Sequence, residues 1–188
     1  FVEGDIVETN ASTAEFCKLV ENSFRDVNIA FANEISMLCD QLQISSTELI
    51  GLANRHPRVD ILNPGIGVGG HCIAIDPLFV ASMFPKDTMM IQSARAVNRK
   101  KTAWVIDRIL HEVEQYEVLR GKRACVALLG LSYKQDVGDL RESPALEIAY
   151  ALEEKGLELA CVDPHVDFVE GLHLLNMEAA LTRSNFVI

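Results

Sequence analysis

A chain of 188 residues that is 49% hydrophobic and carries a formal net charge of −10 has enough apolar material for one to two domains, and its acidity argues against nucleic acid or an anionic membrane as partner. No apolar run reaches the length of a membrane span, and no secretory signal opens the sequence. The five cysteines, Cys17, Cys39, Cys72, Cys125 and Cys161, are scattered and odd in number, with no Cys-x-x-Cys pair or His cluster at zinc spacing, which predicts reduced thiols in the cytoplasm and no metal site.

The first residue is not Met, and the last five, SNFVI, read as a strand just begun; both features suggest a piece of a longer chain. Ser12 with Glu15 three residues later forms a capping-box pattern, from which a helix runs to about Leu42 without Gly or Pro. Val20, Phe24, Val27, Phe31, Leu38 and Leu42 recur at helical spacing as one apolar stripe. So long a helix is expected to act as a spine, partly covering its own domain and partly a dimer partner. SSTELIGLANRH predicts a short second helix stopped before Pro57, DPLFVASMF a third with Pro77 in its first turn, and Lys86 to about Leu119 a second long one.

The pattern then changes. ACVALLGL, residues 124–131, is a nearly continuous apolar run of the kind found in buried parallel strands. Ser143-Pro144 caps a helix that ends near Gly156, and LELACVD, residues 157–163, is the next strand. These form one βαβ unit, the opening of a doubly wound domain. The switch sets a boundary near residue 120: residues 1–120 helical, residues 121–188 α/β. There is no internal repeat and no low-complexity tract.

Three polar sites stand out. NPGIGVGGHCIAIDP, Asn63 to Pro77, holds four glycines between Gly65 and Gly70 and then His71 and Cys72. So much backbone freedom predicts close approach of the loop to something. Cys72 reads either as a structural thiol or as a nucleophile at the start of a helix, with Asp76 as a helix cap or a catalytic carboxylate. Lys18, Asn22 and Arg25 lie opposite the apolar stripe, as a solvated face or an anion site. GLSYKQDVGDLRESP follows the first strand but lacks the G-x-G-x-x-G turn of a dinucleotide site. Its Lys134 and Arg141 stand either in the ligand crevice at the carboxyl ends of the strands or in solvent as loop charges. Asp163, at the end of the second strand, is a poor match to a ribose-binding acid without those glycines. Pairing of Cys72 with His71 as a hydrolase is disfavoured, because adjacent residues rarely face each other and no third group is evident.

Three blocks in this order, KLVENSFRDVNIAFANE, PGIGVGGHCIAIDP and GLSYKQDVGDLRESPA, resemble the UDP-glucose/GDP-mannose dehydrogenase family, nucleotide-sugar 6-dehydrogenases that oxidise an alcohol to an acid. ANRHPRVDIL before the loop is similar to the UDP-N-acetyl-D-mannosamine dehydrogenase branch, although Leu78 stands where that branch has tryptophan. The resemblance implies an α/β protein: an all-helical central dimerisation domain with the Cys72 loop, followed by part of a Rossmann-like UDP-binding domain. It implies NAD as cofactor, with the main NAD domain outside this chain, and hence a fragment without turnover of its own. It implies a UDP-N-acetylhexosamine substrate (with UDP-GlcNAc or UDP-glucose as alternatives) and a homodimer through the long helix. By matching position it assigns Cys72 as nucleophile, with Lys18 and Asp76 catalytic. Lys18, Asn22, Arg25, His56, Arg58, Gly69, Tyr133 and Lys134 would contact substrate, with Arg58 reaching across the dimer, and Arg141 would contact the cofactor. The glycines would let the backbone close on the hexose. A non-catalytic dimerisation and UDP-sugar-binding module is the alternative from another class.

Overall fold

The computed structural model describes residues 4–188; Phe1, which the sequence reading takes as a cut end, lies outside them. Four helices come first: α1 (Ala11–Leu42), α2 (Ser46–Ala53), α3 (Asp76–Met83) and α4 (Met89–Arg120). An α/β unit follows, with β1 (Cys125–Leu129), α5 (Pro144–Glu154), β2 (Glu158–Val162), α6 (Met177–Arg183) and β3 (Phe186–Val187). The helical domain leading into a doubly wound α/β unit is the fold class that the sequence predicts. No helix among the described residues is long and apolar enough to cross a membrane.

Local chemistry sets the helix ends. Asn10, not Ser12, caps α1: its Oδ1 accepts the Thr13 N–H at 2.8 Å, two residues before the expected capping box. Gln43 at φ 57° closes the other end by donating to the Asp40 and Cys39 carbonyls. Ser45 caps α2, which stops at Ala53 as the chain turns toward Pro57. α4 begins at Met89 rather than Lys86 because Asp87 N–H and Thr88 Oγ1 both turn back to the Phe84 carbonyl. Gly121 at φ 62° ends it.

α1 packs along α4 and α3, but not through its apolar stripe. Phe24, Phe31, Leu38 and Leu42 are 66%, 49%, 47% and 69% exposed. The inward face carries Asn22, Ser23, Asp26, Ala30, Asn33 and Met37. The expectation that the stripe partly covers its own domain is therefore corrected: the helix turns a polar and small-residue face to α4, whose own buried residues there are Arg95, Asn98, Lys101 and Thr102.

The sheet is parallel, with strand order β2-β1-β3. Alternation along β1 sorts its two faces. Val126 and Leu128 join Ile109 and Val113 of α4 and Ile148, Ala149 and Leu152 of α5 in the larger core. Cys125 and Ala127 face α6 with Ala160, Val162 and Ala180. The chain leaves β1 on one side and returns on the other, so the carboxyl ends of the strands open at a switch point, where ligands of such sheets bind.

Candidate active site

The glycine loop is gripped at three places. Gly65 N–H donates to Asn33 Oδ1 of α1 (2.8 Å), Thr102 Oγ1 of α4 donates to the Ile66 carbonyl (2.9 Å), and Gly70 N–H donates to the Arg141 carbonyl of the β1–α5 segment (3.0 Å). A Cβ at Gly69 would lie 2.5 Å from Glu142 O and 2.8 Å from both Pro144 Cδ and Tyr133 Cβ; at Gly70 it would lie 2.6 Å from the Tyr133 ring. At Gly67 it would collide with Thr102 Oγ1. The close approach read from the glycines is real, but its object here is the chain itself. The loop closes on Thr102 and the 133–144 segment of the same chain.

Cys72 follows this grip, half-buried, with its thiol free. Its carbonyl accepts the Ile75 and Asp76 N–H groups at 3.0 and 2.8 Å, a tight turn that leads into α3. Asp76 opens α3, and its Oδ2 accepts Asn22 Nδ2 at 2.6 Å. This bond brings the polar face of α1 to the cysteine turn. Lys18 lies one turn before Asn22, its side chain 65% exposed and 3.4 Å from Glu21 Oε2. Arg25, also exposed, has no ion-pair partner among the described residues. His71 is exposed and makes no hydrogen bond with Cys72 among the described residues, so a Cys-His pair is not assembled.

On the second unit, Arg141 is clamped by Asp139: Nε reaches Oδ1 at 3.0 Å and Nη2 reaches Oδ2 at 2.6 Å. Those side-chain bonds, with the Arg141 backbone N–H on the same carboxylate, hold the Asp139 carboxyl down at about 2. The exposed Arg141 side chain is not among the residues that line the strand-end crevice. Lys134 does line that crevice, a cleft of about 450 Å³ with Leu129, Gly130, Ser132, Asp163 and Met177 among its walls. Asp163 closes the crevice floor. Its Oδ2 accepts Leu131 N–H, Ser132 N–H and Ser132 Oγ, and its Oδ1 accepts His165 N–H. Burial opposes its charge, but these donors outweigh burial and keep the carboxyl below its ordinary range.

His56 and Arg58 project from the exposed turn after α2, where Arg58 N–H donates to His56 Nδ1 at 3.2 Å. Among the described residues no hydrogen bond or ion pair joins either side chain to the Cys72 loop. Asn33, Thr102 and Asn98 are site-building residues that the sequence reading missed. Their signal was available for α1, where Asn22, Asp26 and Asn33 share one helical face.

The sequence profile of the UDP-glucose/GDP-mannose dehydrogenase family's central domain matches residues 12–100, and that of the family's UDP binding domain matches residues 127–188. An NDP-N-acetyl-D-galactosaminuronic acid dehydrogenase of Ralstonia nicotianae is 48% identical over 193 residues, covering 100% of this chain and 44% of that protein. A UDP-N-acetyl-D-mannosamine dehydrogenase of Yersinia pestis is 53% identical over 171 residues, 89% of this chain and 41% of that protein. The solved UDP-D-ManNAc dehydrogenase of Pyrococcus horikoshii matches with a TM-score of 0.86 at 41% identity, over 100% of this chain and 44% of that one. The chain thus spans less than half the length of the curated relatives it matches. The two profiles belong to one family and fall in order, the first enclosing the Cys72 loop and the second the segment that grips it. With close relatives matching across both, the chain belongs to the UDP-glucose/GDP-mannose dehydrogenase family.

Proposed function

We propose that this chain is the helical core and the opening of the UDP-binding domain of an NAD-dependent UDP-N-acetylhexosamine 6-dehydrogenase, with UDP-N-acetylmannosamine as first candidate substrate. The observation that carries it is the Asn22–Asp76 bond at 2.6 Å, which joins the Lys18/Asn22 face of α1 to the turn that presents the Cys72 thiol. Relatives named for N-acetylated sugar nucleotides support the substrate class.

In this reading the substrate's C6 alcohol loses a proton and a hydride to become an aldehyde. The Cys72 sulfur adds to the aldehyde carbon, and its proton passes to the carbonyl oxygen, giving a thiohemiacetal. Loss of a second hydride and the hydroxyl proton gives a thioester on Cys72. Water then attacks the acyl carbon, releasing the carboxylic acid and restoring the thiol. Lys18 supplies positive charge to the oxyanions of these steps and exchanges protons with them. Asp76, oriented by Asn22, holds the attacking water. Asn22, Arg25, Gly69, Tyr133 and Lys134 bind the nucleotide sugar, and His56 and Arg58 serve it from the turn after α2.

Two NAD molecules, bound in succession, would each accept one of the two hydrides. The residues present fit only the cofactor's edge: Arg141, 63% exposed with its guanidinium fixed by Asp139, suits a phosphate or ribose. The β1 turn carries Gly130 without a glycine-rich phosphate cradle, so the chain alone is expected not to reduce NAD. The exposed face of α1, with Phe24, Phe31, Leu38 and Leu42, is assigned to a second copy, since contiguous apolar surface of this extent marks an interface.

The test is NADH formation by the full-length protein with UDP-N-acetylmannosamine, UDP-N-acetylglucosamine and UDP-glucose. Acid product is expected with an N-acetylated substrate and is lost in Cys72→Ser. Unchanged turnover in Cys72→Ser removes the thioester route.

A further inference from the structure

Between α1 and α4 lies a chain of buried polar groups with a single direction. Arg95 Nη1 donates to Asp26 Oδ1 at 2.7 Å, with Asp26 fully buried. Burial raises the Asp26 carboxyl and the Arg95 guanidinium opposes that rise, but the Asp26 backbone carbonyl can only accept. Asp26 therefore takes the Nδ2 end of Asn98, which donates to its carbonyl at 3.2 Å and to its Oδ1 at 2.8 Å. That leaves Asn98 Oδ1 facing Asn33, whose Nδ2 donates to it at 2.9 Å. Asn33 Oδ1 is in turn left to accept the Gly65 N–H at 2.8 Å. Asn33 and Asn98 are 0% and 1% exposed, so water cannot substitute for either partner.

From this geometry we infer that Asn33 and Asn98 are positioning residues for the Cys72 loop, relaying the polarity of the buried Asp26 carboxylate to the backbone amide of Gly65. The inference deepens the proposed role of Cys72 and rests on it for its catalytic consequence. A second observation gives the relay its purpose. Asn22 and Asn33 are eleven residues apart on α1, about three turns and therefore on one face, roughly 16 Å along the axis. Asn22 holds the far end of the loop at Asp76, and Asn33 holds the near end at Gly65. One rigid helix thus fixes both ends of the segment that carries the thiol. An apolar seam between two helices would be at least as stable as buried polar groups, but it would offer Gly65 no acceptor.

The relay differs from a simple contact in one respect. Asn98 does not touch the loop, yet without it Asn33 loses the partner that fixes its orientation. The experiment uses the full-length protein with Cys17→Ser, which removes the exposed thiol. Asn33→Ala, Asn98→Ala and the double variant are compared by hydrogen exchange of the 65–72 segment, by the iodoacetamide alkylation rate of Cys72, and by kcat and KM. Each single variant is expected to speed loop exchange about tenfold, while β1 and α5 keep their protection. Each should also change the alkylation rate severalfold and lower kcat about tenfold to a hundredfold with KM within threefold. The double variant is expected to match the singles, because each breaks the same chain. If Asn98→Ala does not fold, Asn98→Ser replaces it with the same expectation. Folded variants with unchanged loop exchange and alkylation, or effects that simply add, overturn the relay. Exchange and alkylation need no turnover, so the relay can stand or fall apart from the dehydrogenase reading.

Discussion

Gly69→Ala isolates what the glycine loop does. The backbone φ there is not in the left-handed region, so an added methyl meets packing alone. It would sit 2.5 Å from Glu142 O and 2.8 Å from Pro144 Cδ and Tyr133 Cβ, where ordinary contact begins near 3.4 Å. None of these atoms is the free end of a flexible side chain. Ser143, between two of the three residues, is itself pinned: its Oγ donates to the Leu131 carbonyl at 2.6 Å and caps α5. The loop must therefore move by most of an ångström or stay docked under strain. Overpacking of this kind costs about 1–3 kcal/mol. For a chain of this length each kcal/mol lowers Tm by roughly 2–4 °C, so a loss of about 2–12 °C is expected. Displacement of the Cys72 turn by about 1 Å adds a fall in turnover on the order of a hundredfold. Gly51→Ala is the control, since it lies inside α2 with nothing within 4 Å of its Cβ. It should gain about 0.5–1 kcal/mol from helix propensity and keep its activity. Thermal melts and steady-state assays on the full-length variants decide the matter. A Gly69→Ala protein that melts and turns over like the unmutated one refutes the docking account.

Lys18→Ala is expected to change stability by less than about 0.5 kcal/mol, because the side chain is exposed and its contact with Glu21 is a surface pair. Its turnover should fall by about a hundredfold or more; a lowered melt with intact turnover would make Lys18 structural. Phe31→Asp, on the exposed face of α1, should leave the melting of the isolated subunit intact and shift the protein from dimer to monomer in light scattering, while a persistent dimer would place the interface elsewhere. Asp139 titrates near 2 when folded, below the ordinary carboxylate value of about 3.9. Its contribution to stability is therefore complete above about pH 4 and is lost as pH falls toward 2. Asp139→Asn should flatten that part of the stability profile in urea melts from pH 2 to 7, and an unchanged profile would show that the clamp on Arg141 adds nothing.

Much of the architecture was legible because it rests on local chemistry. The Ser143-Pro144 pair, the apolar runs of β1 and β2 and the length of α1 all carry their meaning in the sequence. The direction of α1 was not legible. An apolar stripe marks a face that leaves water, but not whether its own subunit or another covers it. Here Asp26 and Asn33 turn inward because α4 offers Arg95 and Asn98 as partners, and Asn22 because α3 offers Asp76, matches that no single-helix pattern reveals. α6 escaped notice because seven residues are too few for periodicity, although Asn176, accepting the Ala179 N–H at 2.8 Å, is a good cap. The glycines announced a close approach without naming its object, since Tyr133, Glu142 and Pro144 are more than sixty residues away in sequence.

α4 has a mechanical consequence. Its first half binds α1 through Arg95, Asn98 and Lys101, and its second half enters the core of the sheet through Ile109 and Val113. A single beam about 48 Å long, from 32 residues at 1.5 Å each, therefore belongs to both units. With no flexible linker between them, they cannot swing apart without bending that beam. The Gly70–Arg141 bond then works as a cross-brace near one end. Heating should dismantle the two units in one calorimetric transition rather than two, and the frame itself is not the part that opens.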